Sequence, residues 1–226
     1  MKAVRRAVLF DLDGTLVDSV PDLCVAVNQV LLGLGHEPLH ESEVRDYVGD
    51  GARLLLARAL SRDPAGHVDP ALVGHAWDPF MVAYEAQLCA RSRLYPGVTE
   101  VLRRLRATGH GLGVVTNKPA RFITPLLSHL GVLDCFGVCI GGDSLPQRKP
   151  DPAPLLHAMK ALGVAPAATT MVGDSLNDIR AGQAAGCLVV AVSYGYNHGV
   201  DLRQVGADAV VDHMHDLVDC LDGLNR

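Results

Sequence analysis

The sequence predicts an α/β fold: a doubly wound, mostly parallel sheet with an all-helical unit inserted after its first strand. Three observations predict it. From Tyr95 onward, short aliphatic runs alternate with helical patterns, which is how successive βα units build a parallel sheet covered on both faces. Between Val20 and Arg93 the apolar residues recur at helical spacing with no convincing strand, so this stretch interrupts the sheet instead of extending it. Finally, 49% of the 226 residues are hydrophobic but only 4% are aromatic, an aliphatic composition suited to packing helices on a sheet. Residues 1–19 and 94–226 are therefore assigned to the sheet-containing core and residues 20–93 to the helical unit.

The first strand is the buried run Ala7 to Phe10, stopped by Asp11-Leu12-Asp13-Gly14, because Asp favours turns and Gly permits positive φ. Ser19-Val20-Pro21-Asp22 then carries a capping-box signature, followed by Leu23, Val27, Val30, Leu31 and Leu34 on one helical face. Further helices are expected at Glu41 to Val48, Ala52 to Leu60 and Pro70 to Ala90, broken at Gly49, Gly51 and Asp63-Pro64. Past Tyr95-Pro96-Gly97 come a helix from Val98, a strand at Leu112 to Thr116 and a helix from Pro119 to Leu130. Strands follow at Val138 to Ile140, Thr170 to Val172, Leu188 to Val192 and Ala209 to Val211, with helices around 152–162, 176–185 and 214–221 between or after them.

Composition excludes several functions. Twenty Lys and Arg against 25 Asp and Glu give a formal charge of −5, the wrong sign for a protein that binds nucleic acid by displacing counterions. The run Arg103, Arg104, Arg106 is read as a solvated helix face. Six cysteines lack C-x-x-C spacing, so neither a zinc ribbon nor a disulfide framework is expected. Lys2, Arg5 and Arg6 resemble the basic start of a secretory signal, but only four apolar residues follow before Asp11. No run is long enough to span a membrane. A cytoplasmic protein acting on a small metabolite is expected.

In a doubly wound sheet the reactive positions lie at the carboxyl ends of strands. Here those ends carry Asp11 and Asp13, then Thr116-Asn117-Lys118, then Gly173-Asp174-Ser175-Leu176-Asn177-Asp178, with Arg148-Lys149-Pro150 supplying cations in a connection. Carboxylates converging on one site repel unless a hard cation binds, and Mg²⁺ takes oxygen ligands while retaining waters that a phosphate can displace. Asp11 and Asp174 are the expected side-chain ligands. Asp11 is assigned as the nucleophile that forms an aspartyl phosphate, and Asp13 as general acid and then base, turned away from Asp11 by the Gly14 turn. Thr116 and Lys149 are expected to hold the phosphoryl oxygens.

These residues carry a resemblance. Val8 to Ser19 (VLFDLDGTLVDS), Val114-Val115-Thr116-Asn117, Lys149, and Gly173 to Asp178 (GDSLND) resemble, in order, the four motifs of the haloacid dehalogenase superfamily of phosphatases. The resemblance spans essentially the whole chain. It implies a Rossmann-like core, Mg²⁺ dependence, and metal ligation by Asp11, the backbone carbonyl of Asp13, and Asp174, with Asp178 in the outer shell orienting metal-bound water. It places the phosphate among Asp11, Thr116, Asn117 and Lys149, and makes the inserted helices a cap that closes over the substrate. Within the superfamily the chain is most similar to phosphoglycolate phosphatases, through Tyr47-Val48-Gly49-Asp50-Gly51-Ala52, Thr116-Asn117-Lys118-Pro119, Ile140-Gly141-Gly142-Asp143 and Tyr194-Gly195-Tyr196-Asn197. The relatives often have Asn where this chain has Asp50, a carboxylate unhelpful beside an anionic substrate unless it points away. The reaction implied is hydrolysis of 2-phosphoglycolate to glycolate and phosphate.

Gly49 and Gly51 are expected to offer backbone N–H groups to the substrate as the cap closes, with Arg53 or Lys118 as candidate partners for its carboxylate. Hydrolysis of another phosphomonoester or of pyrophosphate, a phosphomutase, and a noncatalytic phospho-ligand binder are the rival functions. His36-Glu37-Pro38-Leu39-His40 matches the zinc-protease pattern H-E-x-x-H, but Pro38 is incompatible with the unbroken helix that chemistry needs. His213 and His215 are read as surface residues.

Overall fold

The structure, a computed structural model, describes residues 6–224; Lys2 and Arg5, weighed above as part of a signal, lie outside the described residues. The core is a parallel six-stranded sheet. In chain order its strands are β1 (Ala7–Phe10), β4 (Gly111–Val115), β5 (Val138–Ile140), β6 (Thr169–Gly173), β7 (Leu188–Val192) and β8 (Ala209–Val211). They lie in the order β5-β4-β1-β6-β7-β8. The chain winds outward from β1 to one side through β4 and β5, then to the other through β6, β7 and β8. The carboxyl end of β1, flanked by β4 and β6, is therefore the topological switch point where such sheets bind ligands.

Alternation along β1 sorts its side chains between two cores. Val8 and Phe10 join the cluster beneath α5 (Val98–Ala107), α6 (Ile123–His129) and α9 (Leu217–Leu224), whereas Leu9 joins the opposite cluster beneath α7 (Ala153–Leu162) and α8 (Leu176–Ala185). With helices on both faces the central strands β1, β4 and β6 are buried throughout, hence their continuous apolar character. Arg103, Arg104 and Arg106 lie on the exposed side of α5, and all six cysteines are free.

Between β1 and α5, helices α1 (Val20–Gly33), α2 (Glu41–Arg45), α3 (Ala52–Ser61) and α4 (Pro70–Gln87) pack around an apolar cluster of their own, into which the core contributes Phe122 and Tyr196. Among the described residues no helix is long and apolar enough to cross a membrane.

Several local expectations are corrected. A two-residue ribbon, β2 (Val17–Asp18) against β3 (Arg93–Leu94), closes the base of the insertion; it is too short to leave a periodic signature. The expected helix over Glu41 to Val48 ends at Arg45, ahead of a turn in which Gly49 and Gly51 hold φ of 127° and 94°. The helix from Pro119 starts as a 3-10 turn over Ala120–Phe122. The capping box at Ser19 does not form. Instead Ser19 Oγ donates to Asp13 (2.6 Å), and the fully buried Asp22 carboxylate accepts from the backbone N–H groups of Arg91 and Ser92 and from Ser92 Oγ (2.8, 2.9 and 2.6 Å). Asp22 thereby staples the two crossings of the insertion together. Residues 36–40 are not helical, so the H-E-x-x-H geometry is absent, as Pro38 dictates.

Candidate active site

Every polar strand end named from the sequence reaches one edge of the sheet. Asp11 continues β1, its N–H donating to Val172 O at 2.9 Å, and its carboxylate is buried. Lys149 Nζ lies 2.8 Å from Asp11 Oδ1 and 2.6 Å from Asp178 Oδ1. The Lys149 ammonium is thus the group that faces Asp11 Oδ1, and a carboxylate oxygen so paired still has a lone pair for an electrophile. Burial is the main cause that pushes the Asp11 carboxyl up to about 6; Lys149 opposes it and Asp178 reinforces it. Lys149 is itself raised, because Asp11 and Asp178 outweigh the burial that disfavours its charge.

Asp11, Asp174 and Asp178 bring one carboxylate oxygen each within 4.8 Å of one another, among the described residues the one acidic group close enough to hold a metal ion. Their other bonds divide the roles. Asp178 is consumed locally: it accepts from Lys149 and closes a capping box with Ser175 at the start of α8, through Ser175 N (3.1 Å) and Oγ (2.6 Å). Asp174 accepts one bond per oxygen, from Thr15 Oγ1 (2.7 Å) and Tyr196 N (2.6 Å), leaving lone pairs unused. Burial first, then the charges of Asp11 and Asp178, push its carboxyl well up. An all-oxygen set with its negative charge only partly matched fits a hard divalent cation. Gly14 makes the approach possible: at φ 91°, a Cβ there would sit 2.2 Å from Asp174 Oδ2.

Asp13 sits past the turn with its carboxylate held from two sides. Its Oδ1 accepts from Ser19 Oγ (2.6 Å) and Lys118 Nζ (2.9 Å), and Oδ2 lies 3.1 Å from the same ammonium. Lys118 is buried, and its Nζ also donates to Tyr84 Oη from α4. Burial works against that charge, but Asp13 and Tyr84 outweigh it and raise the Lys118 pKa. Thr116 and Asn117 follow β4. The Asn117 amide donates to Lys149 O (3.0 Å) and Gly49 O (3.3 Å), so its side chain braces two loops. Over this edge lies a cavity lined by Asp11, Asp13, Thr116, Asn117 and Lys118 below and by Gly49, Gly51, Ala52, Leu55 and Tyr84 of the helical insertion above.

One expectation about the insertion changes. Arg53 does not face the cavity; it is exposed, its guanidinium carbon 4.2 Å from the centroid of Trp77, a stacking that takes up its charge on the outer surface. Asp50 points away from the cavity, bonded to Arg58 (2.6 Å) and Asn177 Nδ2 (2.7 Å). Gly49 and Gly51 line the cavity.

Residues 8–192 match the model of the haloacid dehalogenase-like hydrolases. The chain belongs to the haloacid dehalogenase-like hydrolase family. Among its relatives are a phosphoglycolate phosphatase of Nitrosococcus oceani, 44% identical with 95% of each chain covered, and one of Psychrobacter arcticus, 44% identical with 96% of each covered. A solved structure of a predicted phosphoglycolate phosphatase from Haemophilus somnus superposes with a TM-score of 0.88 at 36% identity, covering 98% of this chain and 99% of that one. For this haloacid dehalogenase-like chain, the four motif segments are thus brought together at one sheet edge. Thr15 and Tyr196, which lie in segments that carry the resemblance but were given no role there, both bond Asp174, and in Gly195 a Cβ would lie 2.3 Å from Asp174 Cβ. Tyr84, which bonds Lys118, was not singled out from the sequence.

The raised carboxyls give a pH prediction. Asp11 moves from an ordinary 3.8 to about 6, so between roughly pH 4 and 6 the folded state keeps a proton that the unfolded chain has shed. Stability of the cation-free protein should fall as pH rises through that window, Asp174 extending the loss upward, and an added divalent cation should offset it. Denaturant midpoints measured with chelator across pH 4–8 test this, with Asp11→Asn showing a shallower fall; an identical slope in that variant would contradict the assignment.

Proposed function

We propose that the protein is a Mg²⁺-dependent phosphatase that hydrolyses 2-phosphoglycolate to glycolate and phosphate through an aspartyl phosphate on Asp11. The observation that carries this reading is the buried Asp11 carboxylate, paired to Lys149 at 2.8 Å, at the floor of a cavity roofed by Gly49, Gly51 and Ala52. The names of relatives at 44% identity over nearly the full chain supply the substrate.

Asp11, the backbone carbonyl of Asp13, and Asp174 would hold Mg²⁺, which would supply positive charge to stabilise the negative charge of the reacting phosphoryl group. Lys149, Thr116 and the backbone N–H of Asn117 bind and orient those oxygens. An Asp11 carboxylate oxygen forms a bond to phosphorus as the ester P–O bond breaks, and Asp13 gives its proton to the departing glycolate oxygen. Asp13 then takes a proton from the water whose oxygen attacks phosphorus; the bond to Asp11 breaks and phosphate leaves. Leu23, Val48, Leu55 and Phe80 in the cavity wall exclude bulk water while this happens. Asp178 and Ser175 keep Lys149 in place.

Initial rates on 2-phosphoglycolate, hexose phosphates, nucleotides and pyrophosphate, each with Mg²⁺ and with chelator, test the reading. Turnover dependent on added Mg²⁺, with kcat/KM highest for 2-phosphoglycolate, is expected. A stronger preference for another compound would overturn the substrate while leaving the chemistry, and undiminished rates in chelator would overturn the metal.

A further inference from the structure

We propose that Lys118, steadied by Tyr84 of the cap, recognises the substrate carboxylate and sets the preference for phosphorylated short acids over neutral phosphate esters; this rests on the phosphatase reading above. A substrate that carries a carboxylate besides its phosphoryl group brings a second negative charge into a buried cavity, and an unpaired charge there is costly. The cations around the cavity are mostly committed elsewhere. Arg53 stacks on Trp77, Arg58 is bound to Asp50 and to the Tyr47 and Pro64 carbonyls, and Lys149 serves Asp11 and Asp178. Among the described residues lining the cavity, Lys118 is the cation.

Placement strengthens the assignment. Asp13 is the acid for the ester oxygen, and in 2-phosphoglycolate that oxygen is joined through one methylene to the carboxylate. A cation 2.9 and 3.1 Å from the two Asp13 oxygens is thereby one methylene from the group it must read. An ammonium has three protons. Lys118 directs one at Tyr84 Oη and shares the rest between two oxygens of one carboxylate, and Asp13 Oδ1 is already held by Ser19. One proton can therefore turn to the substrate without stranding Asp13. Tyr84 fixes the ammonium because its ring is itself fixed, stacked on Phe80 (6.0 Å) and edge-on to Phe122 (4.8 Å). The reader of the carboxylate is complete only when the cap supplies that hydroxyl.

The test compares kcat/KM for 2-phosphoglycolate and for 2-hydroxyethyl phosphate, an ester of the same length without the carboxylate, in the wild type, Lys118→Met, Tyr84→Phe and Arg148→Ala. Loss of Asp13 support lowers both rates and cancels in the ratio. Lys118→Met should lower the ratio about 10- to 100-fold, the worth of a charged hydrogen bond, and Tyr84→Phe should lower it less, through KM. Arg148, exposed near Gly51, is the rival cation, and its removal should leave the ratio unchanged. An unchanged ratio in Lys118→Met, a collapse in Arg148→Ala instead, or no wild-type preference between the two esters would overturn the proposal. If Lys118→Met does not fold, Tyr84→Phe decides alone: a lowered ratio supports it and an unchanged one overturns it. Wild-type inactivity on both esters would instead remove the phosphatase reading and this proposal with it.

Discussion

Asp11→Asn should lose turnover by about 10⁴-fold or more while remaining folded, because it removes the atom that bonds to phosphorus and almost nothing else. The amide matches the carboxylate in shape, and Lys149 keeps its partner in Asp178 at 2.6 Å. The Asp11 charge is also an electrostatic burden, buried near Asp174 and Asp178. Its removal should leave cation-free thermal stability at neutral pH equal to or above that of the wild type, the usual relation between an active-site charge and the fold that tolerates it. Rates and melting curves on the same preparation check both halves. Turnover within tenfold of wild type would rule out Asp11 as nucleophile, and a collapsed melt would mean that its charge supports the fold.

Lys149→Met should damage both fold and activity. The methionine nearly fills the space, but Asp11 and Asp178 lose their shared counter-ion while both stay buried. Leaving a buried charge unpaired costs about 3–5 kcal/mol, read as a lowered denaturant midpoint at pH 8. The deficit should shrink toward pH 5, where the stranded Asp11 carboxyl takes up a proton more readily than in the unfolded chain. Loss of a cation from the phosphoryl oxygens should lower kcat/KM by about 10²–10³-fold. A midpoint within experimental scatter of wild type would show that Asp178 and Ser175 satisfy the pocket without Lys149.

The sheet was legible because its central strands are buried on both faces and read as short, largely apolar runs, each followed by a polar residue or Gly. The candidate site followed from it, since parallel strands deliver their carboxyl ends to a common edge: Asp11, Thr116 and Asp174 needed no long-range information beyond strand direction. What stayed hidden depends on which way a helix faces. Tyr84 lies at helical spacing from Phe80, and both read as core; nothing local tells that the Tyr84 hydroxyl reaches Lys118. Lys118 beside Pro119 has the sequence look of a surface lysine, and it is the turn after β4 that buries it. Arg53 fails the other way: adjacent to the Gly49 to Ala52 turn, it suggests a substrate contact, but the helical rotation from Ala52 sends it outward to Trp77. The Ser19 and Asp22 pair reads as a cap because local capping chemistry and long-range stapling use the same residue types.

Covalent capture of the phosphoryl group tests the mechanism most directly. Rapid acid quench of enzyme turning over 2-phosphoglycolate in Mg²⁺, followed by peptide mass mapping, should find one phosphoryl group on the peptide containing Asp11 and none in the Asp11→Asn protein. Steady turnover with no adduct at any quench time, or an adduct on another residue, would contradict it.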